Sequence, residues 1–180
     1  DDGGLIYSCD VSAFKIPNVD GTDKYTGHVN GLAYLNLWKT VKTILLPTDA
    51  KTNVLPSMSL YNLKELTGTF TIPSNFTEIG ALAFNVCSNI ECVEIQGNNK
   101  RAVNETKLGP AVFASMSSLS EIIMPSTIKV IPRFAFSDCS SLKIVNLPEG
   151  IETLEYMSFG CTSGEKSTRI SSIRLPNTLK

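Results

Sequence analysis

The chain has 180 residues, with 16 basic and 17 acidic side chains, a formal net charge of −1 and 42% hydrophobic residues. Near-neutral charge without a basic run argues against nucleic acid or an anionic membrane as the main partner, and no apolar run approaches the roughly 18 residues needed to span a bilayer. The one histidine, His28, excludes a zinc site built on several histidines and leaves a catalytic triad a single candidate.

From the N-terminus onward the apolar residues fall into one repeating frame. Val11, Phe14, Ile16 and Pro17 read as the back half of a unit. Val29 and Tyr34 open the next, which closes on Val41, Ile44, Leu46 and Pro47. Leu55 and Leu60 open another, closing on Phe70, Ile72 and Pro73. Ile79-Gly80-Ala81-Leu82-Ala83-Phe84-Asn85-Val86-Cys87 follows, then Ile90, Val93 and Ile95, with Gln96 in the proline slot. Leu108, Phe113, Met116, Leu119, Ile122, Met124 and Pro125 superpose without a gap on Ile131, Phe136, Cys139, Leu142, Val145, Leu147 and Pro148. Leu154 and Phe159 begin the last unit, which ends on Ile170, Ile173, Leu175 and Pro176. The first apolar slot and the aromatic slot stand five residues apart in all six full units: 29 and 34, 55 and 60, 79 and 84, 108 and 113, 131 and 136, 154 and 159. The chain therefore reads as one domain of about six and a half units: a partial unit over 1–17, then 18–47, 48–73, 74–96, 97–125, 126–148 and 149–176.

Each unit ends with period-two alternation before a proline, which predicts a short strand that the proline terminates. The segment from the first apolar slot to Cys87 or Cys139, with apolar residues at offsets of three and five, predicts a helical or 3₁₀ turn packing one face inward. One unit buries too little surface to stand alone, whereas stacked units share a continuous core. The predicted fold is an α/β repeat solenoid with short parallel strands on one face and helical turns or loops opposite.

Ile79-Gly80, Ala83-Phe84 and Cys87, with Ala135-Phe136, Cys139, Leu142 and Pro148, carry a resemblance. The frame resembles the BspA-like leucine-rich repeat family, also called the Treponema pallidum type of leucine-rich repeat. The resemblance implies a right-handed leucine-rich-repeat stack. It also implies an exported or cell-surface adhesion or recognition module, in the bacterial outer membrane or periplasm, rather than an enzyme.

With Val93 and Ile95 inward, alternation sends Cys92 and Glu94 outward. The same rule gives one outward column of Ala13, Thr43, Thr69, Cys92, Glu121, Ile144 and Ser172, and a second of Lys15, Leu45, Thr71, Glu94, Ile123, Asn146 and Arg174. Thr43, Leu45, Thr69, Thr71, Glu94, Glu121, Ile123, Ile144, Asn146 and Arg174 are the candidate binding residues. The expected partner is a protein of a host or neighbouring-cell surface or matrix; the alternative is a polysaccharide ligand of a glycan-using bacterium. Glu94 and Glu121 on neighbouring strands invite a paired-carboxylate hydrolase reading, which the absence of positioned aromatics in the columns disfavours.

The remaining features point away from chemistry. Insertions between Pro17 and Val29, between Gln96 and Leu108, and around Thr162 to Thr168 mark edge loops, which often carry binding on a rigid scaffold. Asn18-Val19-Asp20-Gly21-Thr22-Asp23 lacks the later ligands and closing glutamate of a calcium loop and reads as a turn. Cys87 and Cys139 fill an inward slot and Cys9 and Cys161 fall within one residue of it, so buried thiols are expected rather than disulfides. Asn75-Phe76-Thr77 and Asn104-Glu105-Thr106 are glycosylation sequons, relevant only in a secreting eukaryote. No catalytic residue, metal or cofactor is expected. The chain opens Asp1-Asp2-Gly3-Gly4 and closes on Lys180 just after a strand, without a polar capping repeat. A longer exported protein, or an end-to-end homodimer that covers the open end, is the expectation.

Overall fold

The alternation Thr69-Phe70-Thr71-Ile72 turns both threonines out and buries Phe70 and Ile72, and it forms the strand β4 (Gly68–Ile72). In the computed structural model the chain is described over residues 53–97, 105–162 and 170–180, with residues 42–46 and 48 and the backbone of Ala13–Lys15. His28, Cys9, Asn104, the turn over residues 18–23 and most of the three insertions lie outside the described residues.

The other strands recur in the same frame. One set of strands, at the end of each unit, is β1 (Ala13–Lys15), β2 (Thr43–Leu45), β4, β6 (Ile90–Ile95), β8 (Glu121–Ile123), β10 (Ile144–Asn146) and β12 (Ser172–Arg174). A second set begins at the first apolar slot: β3 (Val54–Leu55), β5 (Glu78–Ile79), β7 (Lys107–Leu108), β9 (Val130–Ile131) and β11 (Thr153–Leu154). All pairing is parallel, strand on equivalent strand of the next coil. From β4 to β12 the chain makes about four turns of a parallel β-solenoid.

The expectation of helical turns is corrected. Among the described residues there is no α- or 3₁₀-helix. The segment from Gly80 to Cys87 is a run of β-turns, closed by Ala83 N–H to Gly80 O (3.3 Å), Asn85 to Leu82 (3.1 Å) and Cys87 to Phe84 (3.1 Å). The intervening amides leave the coil: Leu82 donates to Pro110 O (3.0 Å), Phe84 to Val112 O (2.8 Å) and Val86 to Ala114 O (3.0 Å). A helix directs every amide back along its own chain, so this alternation is incompatible with one. It requires a left-handed residue in every second turn, and Leu82, Val86, Ala111, Ser115, Phe134 and Asp138 all have φ between 53° and 64°. The strain of holding non-glycine residues there is offset by the rungs that tie each coil to the next.

Pro73, Pro125, Pro148 and Pro176 each start a turn as well as ending a strand. Phe76, Ile128, Ile151 and Leu179 donate to the carbonyls of Pro73, Pro125, Pro148 and Pro176, at 3.1 to 3.4 Å. Gln96, in the proline slot, keeps its N–H and extends the ladder by donating to Ile72 O at 2.9 Å. Where β4 meets β6 the register shifts between Gly68 and Thr69, leaving Glu91 of β6 as the extra residue of a bulge, and Gly68 opens the strand with φ of +70°.

Both ladders lapse at the same junction. Hydrogen-bonded pairing joins β4, β6 and β8, then separately β10 and β12; it joins β3, β5 and β7, then separately β9 and β11. In the second set Gly80, Gly109 and Glu155 each donate to the coil before, at 2.7 to 2.9 Å. Pro132 holds the same slot and has no N–H to give Leu108. The junction is closed instead by the turn segments, through Ala111 to Arg133, Phe113 to Ala135 and Ser115 to Ser137 at 2.8 to 3.0 Å.

Inside runs a ladder of aromatic rings. Phe70, Phe84, Phe113, Phe136 and Phe159 follow one another at centroid separations of 5.0, 5.4, 5.4 and 5.1 Å, and the last pair is stacked at 8°. Leu55, Ile79, Ile90, Val93, Leu119, Ile131, Leu142 and Val145 close around them, fully buried. Such a core drives stacking because each coil hides its neighbours' apolar edge.

Candidate functional site: the outward sheet face

Strand alternation fixes this face, and the register aligns it. Thr69 pairs with Cys92 and Cys92 with Glu121, while Thr71 pairs with Glu94 and Glu94 with Ile123. Ile144 pairs with Ser172 and Asn146 with Arg174, and on the N-terminal side Thr43 and Leu45 pair with Ala13 and Lys15. The structure therefore brings Thr69, Thr71, Glu94, Glu121, Ile123, Ile144, Asn146 and Arg174 onto one surface. Thr43 and Leu45 stand apart, because β2 pairs with β1 and does not neighbour β4.

The face is mixed in chemistry. Ile123 and Ile144 are 46% and 60% exposed, on strands that neighbour one another across the junction where pairing lapses. Leaving two large aliphatic side chains in water on adjacent strands is unfavourable by roughly 25 cal/mol per Å² of apolar surface. Glu94 and Glu121 lie on neighbouring strands but not opposite each other, since Glu121 faces Cys92 and Glu94 faces Ile123. Partial burial, then the Glu121 charge, and lastly the Glu94 charge raise the Cys92 pKa, against a hydrogen bond from Thr69. Its thiol is thus kept protonated beside two carboxylates, the opposite of what a nucleophilic cysteine needs.

Two of the other cysteines, Cys87 and Cys139, are core residues. Cys87 and Cys139 are fully buried, and burial pushes each thiol up to about 12. Cys161 is half-buried and does not share their environment. Among the described residues no three His, Cys, Asp or Glu side chains group closely enough to hold a metal.

Four surface features lie outside the sequence reading. The second strand set presents Val54, Glu78 and Lys107 in one register-matched row. Beyond it Glu152 takes ion pairs from Lys180 and, at 4.0 Å, Lys129, and the Lys180 hydrogen bond and charge hold its carboxyl below the usual range. On the turn face Tyr156 is 72% exposed, and its ring meets Phe134 edge-to-face at 5.7 Å. The Phe slots made inward aromatics legible; Phe134 and Tyr156 occupy variable slots of the turn, so no spacing signal marked them. At the last coil Ile173 and Leu175 hold inward slots yet are 39% and 52% exposed.

A family model for the BspA type leucine-rich repeat region matches residues 29–163 and 106–180, with six copies. The chain belongs to this family. A leucine-rich cell surface protein from Faecalibacterium prausnitzii A2-165 superposes with a TM-score of 0.50 at 15% identity, over 91% of this chain and 59% of that one. A leucine-rich repeat protein from Bacteroides ovatus ATCC 8483 gives 0.56 at 16% identity, over 98% of this chain and 49% of that one. The chain thus spans about half to three-fifths of these solved leucine-rich-repeat neighbours. No curated protein matches it in sequence. Among the described residues no helix is long and apolar enough to cross a membrane.

Proposed function

We propose that this BspA-type chain is a non-catalytic module of an exported or cell-surface protein and binds another protein through its outward sheet face. The observation that carries the reading is the exposed pair Ile123 and Ile144, set among Glu94, Glu121, Asn146 and Arg174 on a register-matched surface. An apolar centre with a polar surround is the anatomy of a protein-binding patch. Parallel pairing holds the surface rigid on either side of the junction, and the turn segments tie the two sides together, which lowers the entropy lost on binding. The neighbour described as a cell surface protein supports the location.

The test is a panel of immobilised surface and matrix proteins beside a glycan array, probed with the native chain and with Ile144→Asp. Protein binding weakened at least tenfold by the substitution is expected. Binding to glycans alone, unchanged in Ile144→Asp, overturns the reading. That second outcome would favour a polysaccharide ligand, for which exposed Tyr156 against Phe134 is the supporting observation. Its own mark is loss of glycan binding in Tyr156→Ala.

A further inference from the structure

The charges of the sheet face are segregated along the stack. Counting each strand with the residue before it, β6 carries Glu91 and Glu94 and β8 carries Glu121, with no cation on either. Beyond the junction β10 carries Lys143 and β12 carries Arg174, with no acid on either. Glu91, Glu121, Lys143 and Arg174 are exposed and Glu94 is half-buried. Glu149 follows in the turn after β10, where Asn177 donates to both of its oxygens. Ile123 and Ile144 flank the boundary between the acidic and basic halves.

A surface with an acidic half, an apolar boundary and a basic half is complementary to its own copy turned end for end. We propose that the partner of this face is a second copy of the chain, docked face to face about a two-fold axis parallel to the strands between β8 and β10. This rests on the reading of the sheet face as the interaction surface and names its occupant.

The symmetry can be worked through. A two-fold axis parallel to the strands keeps each outward column over itself and reverses the stack, so β6 lies over the second copy's β12 and β8 over its β10. In the column that holds Glu94, Ile123, Asn146 and Arg174, each Glu94 then faces an Arg174 of the other copy. The isoleucines stand half a strand spacing from the axis, so Ile123 lies over Asn146 and Ile144 over Glu121 of the other copy. Each isoleucine is one strand spacing from its own counterpart, which gathers all four about the axis. Glu121 comes within one strand of the opposing Lys143. The alternative face-to-face axis, along the stack, sets each acidic strand over its own counterpart, β6 over β6 and β8 over β8, and is rejected by like-charge repulsion. Packed sheets lie about 10 Å apart, a gap that Glu and Arg side chains span together.

Four strands cover only about 15 Å of the stack, so the contact falls in the range of weak encounters rather than obligate dimers. Weak self-pairing gains strength when many copies face one another on two surfaces. The class of interaction is therefore homophilic and salt-sensitive.

The experiment is sedimentation equilibrium of the 180-residue chain at rising concentration, at low and at high salt, with Glu94→Arg, Arg174→Glu and an equimolar mixture of the two. Concentration-dependent dimerisation is expected in the native chain, weakened at least tenfold by either substitution alone and by high salt. Mixing the two variants is expected to restore association between unlike chains, which also shows that both are folded. A native chain that stays monomeric to millimolar concentration overturns the proposal, as does a dimer indifferent to both substitutions. Either failure leaves the reading of the face to the protein panel, which scores heterologous binding separately.

Discussion

The thiol of Cys87 donates to the carbonyl oxygen of Leu60, 2.9 Å away and one coil earlier. Cys139 repeats the relationship with Phe113 O at 3.2 Å. The cysteine slot is thus a hydrogen-bonding slot: a small apolar side chain with one weak donor caps a carbonyl of the coil beneath it. Met116, which fills the slot between them, has no such donor and is held by packing alone.

Alkaline pH should destabilise the protein through these two thiols. Burial raises both from the ordinary thiol range to about 12, so the folded chain holds protons that the unfolded chain releases. Their contribution is complete below about pH 9 and is lost as pH rises toward 12, at up to about 1.4 kcal/mol per pH unit for each thiol. Chemical denaturation at pH 8, 9.5 and 10.5 checks this, and Cys87→Ala with Cys139→Ala should flatten the fall. In native protein at pH 8 iodoacetamide should reach Cys92 well before either, since only about one in ten thousand buried thiols is ionised there.

Ser59 should be replaceable with profit. It is fully buried, its hydroxyl oxygen has no hydrogen-bond partner, and it holds the slot that Ala83 and Ala135 fill in other coils. Ser59→Ala removes an unsatisfied polar group at almost no cost in volume and should stabilise the chain by about 1 kcal/mol. A lower midpoint in urea would count against the assignment.

Two glycines should fail for different reasons. A Cβ on Gly109 would sit 2.2 Å from the Ala81 nitrogen, against the backbone of the coil beneath. Gly109→Ala therefore forces the coils apart and should cost about 2–3 kcal/mol. Gly68 has open space around it but a φ of +70°, so Gly68→Ala should cost only about 1 kcal/mol. Thermal melts of the pair separate steric from conformational cost.

The aromatic ladder should be most sensitive at its middle. Phe113 is fully buried between Phe84 and Phe136, whereas Phe159 is half-buried with only Phe136 beside it in the ladder. Phe113→Ala should cost about 3–5 kcal/mol and Phe159→Ala about half of that. Equal losses would mean that the rings do not act as a continuous column.

Much of this architecture is legible in the residues. Alternation around Phe70, Val93, Ile122 and Val145 marks the strands of the outward face, and the registers Thr69 to Cys92 to Glu121 follow from it directly. The second strand set is not legible, because a strand such as Glu78–Ile79 shows only one outward and one inward residue and offers no period. The turn segment misleads for a related reason. Offsets of three and five fit a helical face, whereas the positive φ of Leu82 and Val86 depends on amides that reach another coil. A local pattern cannot report that. Ile123 and Ile144 are visible as outward residues, but the segregation of charge about them depends on which strands are neighbours.

The shared lapse of both ladders between the coil of β7 and β8 and the coil of β9 and β10 gives the molecule a plane of failure. Local unfolding follows the weakest boundary between cooperative units, so the chain is expected to part there into an N-terminal and a C-terminal block before either melts. Ile123 and Ile144 stand on opposite banks of that plane. Any ligand that covers both must therefore act as a clamp as well as a passenger, coupling occupancy of the sheet face to the mechanical integrity of the whole stack.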